Sequence, residues 1–250
     1  MMDTSILKPG EHMDSLDYRG MMLIQHNDSF CFGTDSVLLA NFARVNAKDC
    51  CIDLGAGSGV LSVLIHARTH CNILAVEVDS EQCDRLKRTI SVNGIQRFVQ
   101  VRNIDYIDKC SEIGMGKFDA AVCNPPYFRS DCGTISNKAG ATHEVLADID
   151  RIASAASSLL KFGGKLFICF PAGRLCEAVC ALCANALEPK RMRLVSSTPN
   201  KKPYLCLIEA KKGGKHGVIV EKELVIHNEA GEYTEELKRI YHLGEYKEWD

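Results

Sequence analysis

An alternation along the length of this chain limits the folds open to it. Short apolar runs keep giving way to segments with the period of a helix. Cys51-Ile52-Asp53-Leu54 is a compact apolar run that enters glycines, which reads as a buried strand. Val60 to Ala67 follows with apolar residues at 60, 61, 63, 64 and 67, a helical spacing. Ile73 to Val78 is a second strand, and Ser80 is placed to cap a helix from Glu81 to about Asn93, with Gly94 as its left-handed terminator. Val99 to Ile104 and Phe118 to Cys123 are the third and fourth strands. Ile149 to Leu160 has helical period, with Gly163-Gly164 read as closing it before a fifth strand, Lys165 to Phe170. Arg174 to Leu187 is helical, and Arg191 to Ser197 and Tyr204 to Ala210 are strands with no helix between them. Such an order predicts an α/β fold, a mostly parallel sheet covered on both faces, ending in an antiparallel hairpin. Residues 1–20 and the tail after Glu229 read as peripheral, and Arg129 to Thr142 as a long polar loop.

Composition narrows the class. The 250 residues are 46% hydrophobic and 25% charged, ordinary for a globular protein. No apolar run follows a basic stretch at the start, and none approaches the ~18 residues of a membrane span. Thirteen cysteines, mostly inside apolar runs, read as reduced core thiols of a cytoplasmic protein. Cys176, Cys180 and Cys183 have the spacing of an iron–sulfur motif, but no Gly or Pro lies between Gly173 and Pro189 to wrap a cluster. A helix is the expectation there, and no metal site is expected.

The glycines after the first strand carry the first chemical signal. Gly55, Gly57 and Gly59 lie between strand and helix, where the backbone can approach a ligand and a helix N-terminus offers free N–H groups. Asp53, Glu77 and Asp105 each fall at the end of a strand, the edge where open α/β sheets bind ligands. Glu77 is where an acid accepts from both ribose hydroxyls, and Asp105 where a carboxylate or its neighbouring N–H meets an adenine edge; a helix-capping acid and a loop acid are the plainer readings. The pattern is G-x-G-x-G, not the dinucleotide G-x-G-x-x-G. A carboxylate so close suits a cationic ligand without pyrophosphate, and S-adenosyl-L-methionine has that chemistry.

The second signal is Asn124-Pro125-Pro126-Tyr127 at the end of the fourth strand. An exocyclic amine of adenine, or a glutamine amide, is a poor nucleophile because its lone pair is delocalised. The Asn124 side-chain oxygen and the Pro125 carbonyl can accept hydrogen bonds from that NH2 and aim its lone pair. Tyr127, and Phe128 beside it, supply rings for a base to stack on. An ordinary turn is the plain reading of such a stretch standing alone. Charge suggests the acceptor. Lys161 to Lys222 holds twelve Lys/Arg against four Glu, while Glu223 to Asp250 holds eight acids against three bases. A block that basic suits RNA, with Lys201, Lys202, Lys211, Lys212 and Lys215 as candidate contacts; a solvated surface with dispersed charges is the alternative.

With these residues in hand, the chain resembles the bacterial methyltransferases that form N6-methyladenosine at position 37 of valine-1 tRNA. The resemblance runs from about Leu16 to Tyr241. It rests on Gln25, Phe32-Gly33-Thr34-Asp35-Ser36-Val37-Leu38-Leu39, Asn124-Pro125-Pro126-Tyr127-Phe128, His143-Glu144, Gly173-Arg174-Leu175, Glu188-Pro189-Lys190-Arg191 and Gly231-Glu232-Tyr233-Thr234. It implies a Rossmann-like class I methyltransferase with a seven-stranded sheet, spanning residues 46–250 behind an N-terminal extension, 1–45, packed on the cofactor site. It implies that Thr34 and Asp35 lie over the methionine end of S-adenosyl-L-methionine and that tRNA is the partner; no obligate protein partner is evident from the sequence. Thr142 stands where the family commonly has arginine, and Lys138 is the nearby base that could replace it.

Overall fold

The computed structural model describes residues 6–27, 33–125 and 149–242. The chain order is β1 (Glu11–Ser15), β2 (Met22–His26), α1 (Thr34–Phe42), β3 (Cys50–Leu54), α2 (Val60–Thr69), β4 (Asn72–Glu77), α3 (Ser80–Val92), β5 (Val99–Asn103), α4 (Cys110–Ile113) and β6 (Phe118–Cys123). It continues with α5 (Ile149–Leu159), β7 (Leu160–Pro171), α6 (Leu175–Ala184), β8 (Leu187–Ser196), β9 (Leu205–Lys212), β10 (Ile219–Val220), β11 (Leu224–Val225) and α7 (Glu235–Ile240).

The main sheet is ordered β10-β8-β9-β7-β6-β3-β4-β5, with β11 also on β8. β3 to β7 are parallel, and β9 runs antiparallel between β7 and β8. The seven expected strands are all present. Two short ones, β10 and β11, extend the sheet to nine by pairing parallel with β8. The period of two divides the core: in β3, Cys51 joins the apolar cluster with α1, α2, α3 and α7, whereas Ile52 and Leu54 join the one with α5 and α6.

Four local expectations need correcting. The cap of α3 is Asp79, not Ser80: its carboxylate accepts from the N–H groups of Glu81 and Gln82. Gly163 and Gly164 do not close α5; they lie inside β7, which starts directly after the helix. A β-bulge occurs here opposite Phe118 and Ala120, and a Cβ on Gly164 would meet the carbonyls of Lys161, Phe118 and Asp119 at 3.0–3.2 Å. Glycine at a close backbone approach inside a strand thus imitates a loop signal.

The chain ends are also less peripheral than expected. β1 and β2 form a hairpin on α3, where Ile24 N donates to Thr89 Oγ1 and Met22 N to Asn93 Oδ1. The tail folds into α7, capped by Thr234, and buries Leu237 and Ile240 in the core. Cys176, Cys180 and Cys183 lie on α6. Among the described residues, no helix is long and apolar enough to cross a membrane.

Candidate active site at the strand ends

Strand register gathers the predicted residues. Leu54 is level with Cys123 on β6 and with Val76 on β4. The next residue of each strand is then Gly55, Asn124 and Glu77, in one row across the sheet. Neighbouring strands are about 4.8 Å apart, so the glycine turn and Asn124 begin side by side. Glu77 pairs with Asn103, which puts Asp105 two residues beyond the row. From β3 the order runs to β4 on one side and β6 on the other. That reversal makes the topological switch point, where open α/β sheets leave a crevice for a ligand.

The glycine turn has the backbone that its sequence suggests. Gly55, Gly57 and Gly59 have φ of 72°, 53° and 93°, and Gly59 is the N-cap of α2. A Cβ on Gly59 would stand 2.1 Å from Leu86 Cδ1. Glu77 braces the turn: its Oε2 accepts from Gly57 N at 2.8 Å, and its Oε1 from Val78 N and Asp79 N. Asp105 Oδ1 accepts from Ile107 N at 2.8 Å, so this acid also shapes its own turn. The Tyr106 ring lies beneath Gly55, and burial raises its hydroxyl pKa, aided by Cys123.

Asp53 stands out electrostatically. It is fully buried, Oδ2 accepts from Ser62 Oγ at 2.7 Å, and Oδ1 has no hydrogen-bond partner among the described residues. Burial pushes its carboxyl up to about 7 against the opposing Ser62 hydrogen bond.

α1 brings further residues to the site. Asn124 Nδ2 donates to Ser36 Oγ at 2.8 Å, and Tyr204 Oη to Asp35 Oδ1 at 3.2 Å. Tyr241 hydrogen-bonds Thr34. Cys169, one residue past the partner of Cys123, donates its thiol to Asn124 Oδ1 at 2.9 Å. Ser36 was within the quoted Phe-Gly-Thr-Asp segment. Cys169, Tyr204 and Tyr241 carry no motif; only strand pairing and the fold of the tail reveal them. Pro125 is buried beside Asn124. Phe32, Pro126, Tyr127, Phe128, Lys138, Thr142, His143 and Glu144 lie outside the described residues.

The lysines separate. β9 pairs Leu205 with Pro171 and Lys211 with Lys165, so its start is at the site edge and its end at the opposite edge. Exposed Lys201 and Lys202 lie in the turn before β9, on the site side. Lys211, Lys212 and Lys215 lie at the far side, about 24 Å away along the strand. Lys212 Nζ is also bound to the carbonyls of Ser157 and Leu160. The five lysines therefore do not form one surface with the site, which corrects the grouping expected from sequence. Much of the basic block is internally paired as well: Lys165 and Arg191 with Glu209, Arg193 with Glu236, Arg174 with Glu177.

Residues 26–180 match the sequence model described as "Methyltransferase small domain". The chain belongs to the methyltransferase small domain family. This methyltransferase is 26% identical over 230 residues to the tRNA1(Val) (adenine(37)-N6)-methyltransferase of Shewanella sediminis, covering 86% of this chain and 93% of the relative. It is 28% identical over 223 residues to the protein of that name from Shewanella loihica, covering 84% and 90%. Among solved structures it resembles a predicted O-methyltransferase from Agrobacterium tumefaciens, with TM-score 0.69 and 20% identity over 85% of this chain and 98% of that one. A second likeness is a SAM-dependent O-methyltransferase from Thermotoga maritima, with TM-score 0.53 and 18% identity over 76% and 68%. These two likenesses bear on the fold, a class I methyltransferase sheet.

The family's cofactor is S-adenosyl-L-methionine, and the methyltransferase has a cradle that fits it. Three left-handed glycines open the backbone at the head of α2, and Asp53 Oδ1, which has no partner among the described residues, is an acceptor buried beside that turn. A cationic ligand with an ammonium suits both features.

Proposed function

We propose that this protein methylates the exocyclic N6 amine of an adenine in tRNA, position 37 of valine-1 tRNA being the acceptor that its relatives' names suggest. The observation that carries the reading is the row in which Asn124 follows β6 level with Gly55 and Glu77. S-adenosyl-L-methionine supplies a methyl group on a cationic sulfur. Gly55, Gly57 and Gly59 would hold it by their backbone, Glu77 at the ribose, Asp105 near the adenine, and Asp53 with Thr34 and Asp35 at the amino acid end. Glu77 Oε2 accepts one hydrogen bond in the present arrangement and keeps a lone pair for a hydroxyl.

Asn124 Oδ1 and the Pro125 carbonyl accept from the acceptor NH2. That contact localises its lone pair and aims it at the methyl carbon, so positioning and electrostatics do the catalysis. A strong base is unnecessary, because the proton is lost only as the new N–C bond forms. Tyr127 and Phe128 would stack the adenine after it is turned out of its loop. Lys201 and Lys202, exposed at the same edge, supply the phosphate contacts; Lys138 is a further candidate. Residues 1–45 act as the extension that brings Thr34, Asp35 and Ser36 to the site.

The test is labelled methyl transfer to bulk tRNA and to a protein extract, followed by nucleoside analysis. Label in N6-methyladenosine of tRNA is the expected result, reduced when Lys201 and Lys202 are both changed to Glu. Label confined to protein would show glutamine methylation and overturn the reading.

A further inference from the structure

The Asn124 side chain is gripped from two sides. Its Nδ2 donates to Ser36 Oγ on α1, and its Oδ1 accepts from Cys169 Sγ on β7. Both partners are buried, Ser36 at 8% and Cys169 at 0% exposure. A side-chain amide has two orientations that exchange its oxygen and its NH2, and the methyl-transfer geometry tolerates only one. The Ser36 hydroxyl rotates and can serve as donor or acceptor, so it fixes the amide's place but not its sense. Cys169 is different. Its S–H faces the carbonyl oxygen, and a flipped amide would exchange that bond for an N–H aimed at a weak sulfur acceptor.

We infer that Cys169 is a positioning residue for methyl transfer. Its thiol selects the Asn124 orientation whose oxygen meets the acceptor amine, while Ser36 braces the other end. The inference rests on the role proposed above for Asn124. The carbonyl oxygen has two lone pairs, so it can hold the thiol with one and receive the amine with the other. The register explains the choice of residue: Ile168 pairs with Cys123, and the next position on β7 falls beside Asn124. In sequence this cysteine looks like packing, because it lies in an apolar strand.

The test compares Cys169→Ala with Cys169→Ser in the full-length protein, using labelled cofactor and tRNA. Both remove the sulfur and leave similar space; only serine restores a donor. Cys169→Ala should lower kcat about tenfold, the scale of one well-placed hydrogen bond. KM for cofactor and tRNA should stay within about twofold, since the amide acts on the reacting amine. Cys169→Ser should return kcat to within about threefold of wild type, with a melting temperature like that of the alanine variant. Equal kcat in the two variants overturns the inference. If alanine does not fold, Cys169→Val fills the space without a donor and is read against serine in the same way. Asn124→Ala is assayed alongside. If it is inactive while alanine and serine at 169 are equal, this inference alone fails. If it is fully active, or wild type methylates no tRNA, the proposed function fails and this inference falls with it.

Discussion

Asp53 is a fully buried carboxyl, with one oxygen on Ser62 and the other without a partner among the described residues. Its position was legible two residues before the glycines; its protonation was not, because burial depends on α2 closing over β3. An unfolded aspartate ionises near 3.8, whereas the folded group ionises near 7. The folded state therefore holds the proton longer, and stability is lost as pH rises from about 4 to about 7, then levels off. The full loss is on the order of 4 kcal/mol in the cofactor-free protein. Asp53→Asn should flatten this profile and leave the variant more stable than wild type at pH 8, read by urea unfolding from pH 5 to 8. A parallel pH dependence in both proteins would dismiss the buried carboxyl as its source. Asn124 was legible as chemistry from its motif alone. Cys169 was not, since the pairing of β6 with β7 alone brings it to the amide.

At the scale of elements, the sequence period located every strand of the parallel core to within a residue or two, apart from β7. The misreadings share a cause: Gly163-Gly164 imitate a loop, and the polar, acidic tail hides the few residues of α7 that reach the core. The N-terminal hairpin is likewise tied by contacts no local pattern shows. Glu11 is bound by Arg88 and Arg85 from α3, and its side chain is only 3% exposed. The Arg88 hydrogen bond leads in holding its carboxyl down at about 2, against an ordinary 4.5. That stabilisation is present above pH 4.5 and disappears as pH falls through 2. Glu11→Gln should cost about 3 kcal/mol at pH 7, because two guanidinium groups lose their buried partner. Chemical denaturation against wild type checks this. A difference below about 0.5 kcal/mol would mean that the hairpin is held by its apolar face and the Thr89 and Asn93 contacts.

For the molecule as a whole, the strand reversal between β3, β4 and β6 assembles the site. It places a glycine turn, an acid and an amide on one edge, although they are separated along the chain by up to 69 residues in the span 55–124. The alternating pattern made the sheet legible, and with it that common edge. The expected hairpin already carries Lys211, Lys212 and Lys215 to the opposite end from Lys201 and Lys202; what the pattern could not show is that Lys165 and Arg191 pair with Glu209 and Arg193 with Glu236, contacts that depend on strand register and on the fold of the tail. Under the proposed function this edge divides the labour, with the β3 turn holding the methyl donor and Asn124 holding the acceptor amine. Asn124→Ala tests it most directly when turnover and cofactor affinity are measured on the same preparation. Transfer to tRNA should fall by more than about a hundredfold, while the calorimetric Kd for S-adenosyl-L-methionine stays within about threefold of wild type. Undiminished transfer, or an equal loss of cofactor binding, would contradict it.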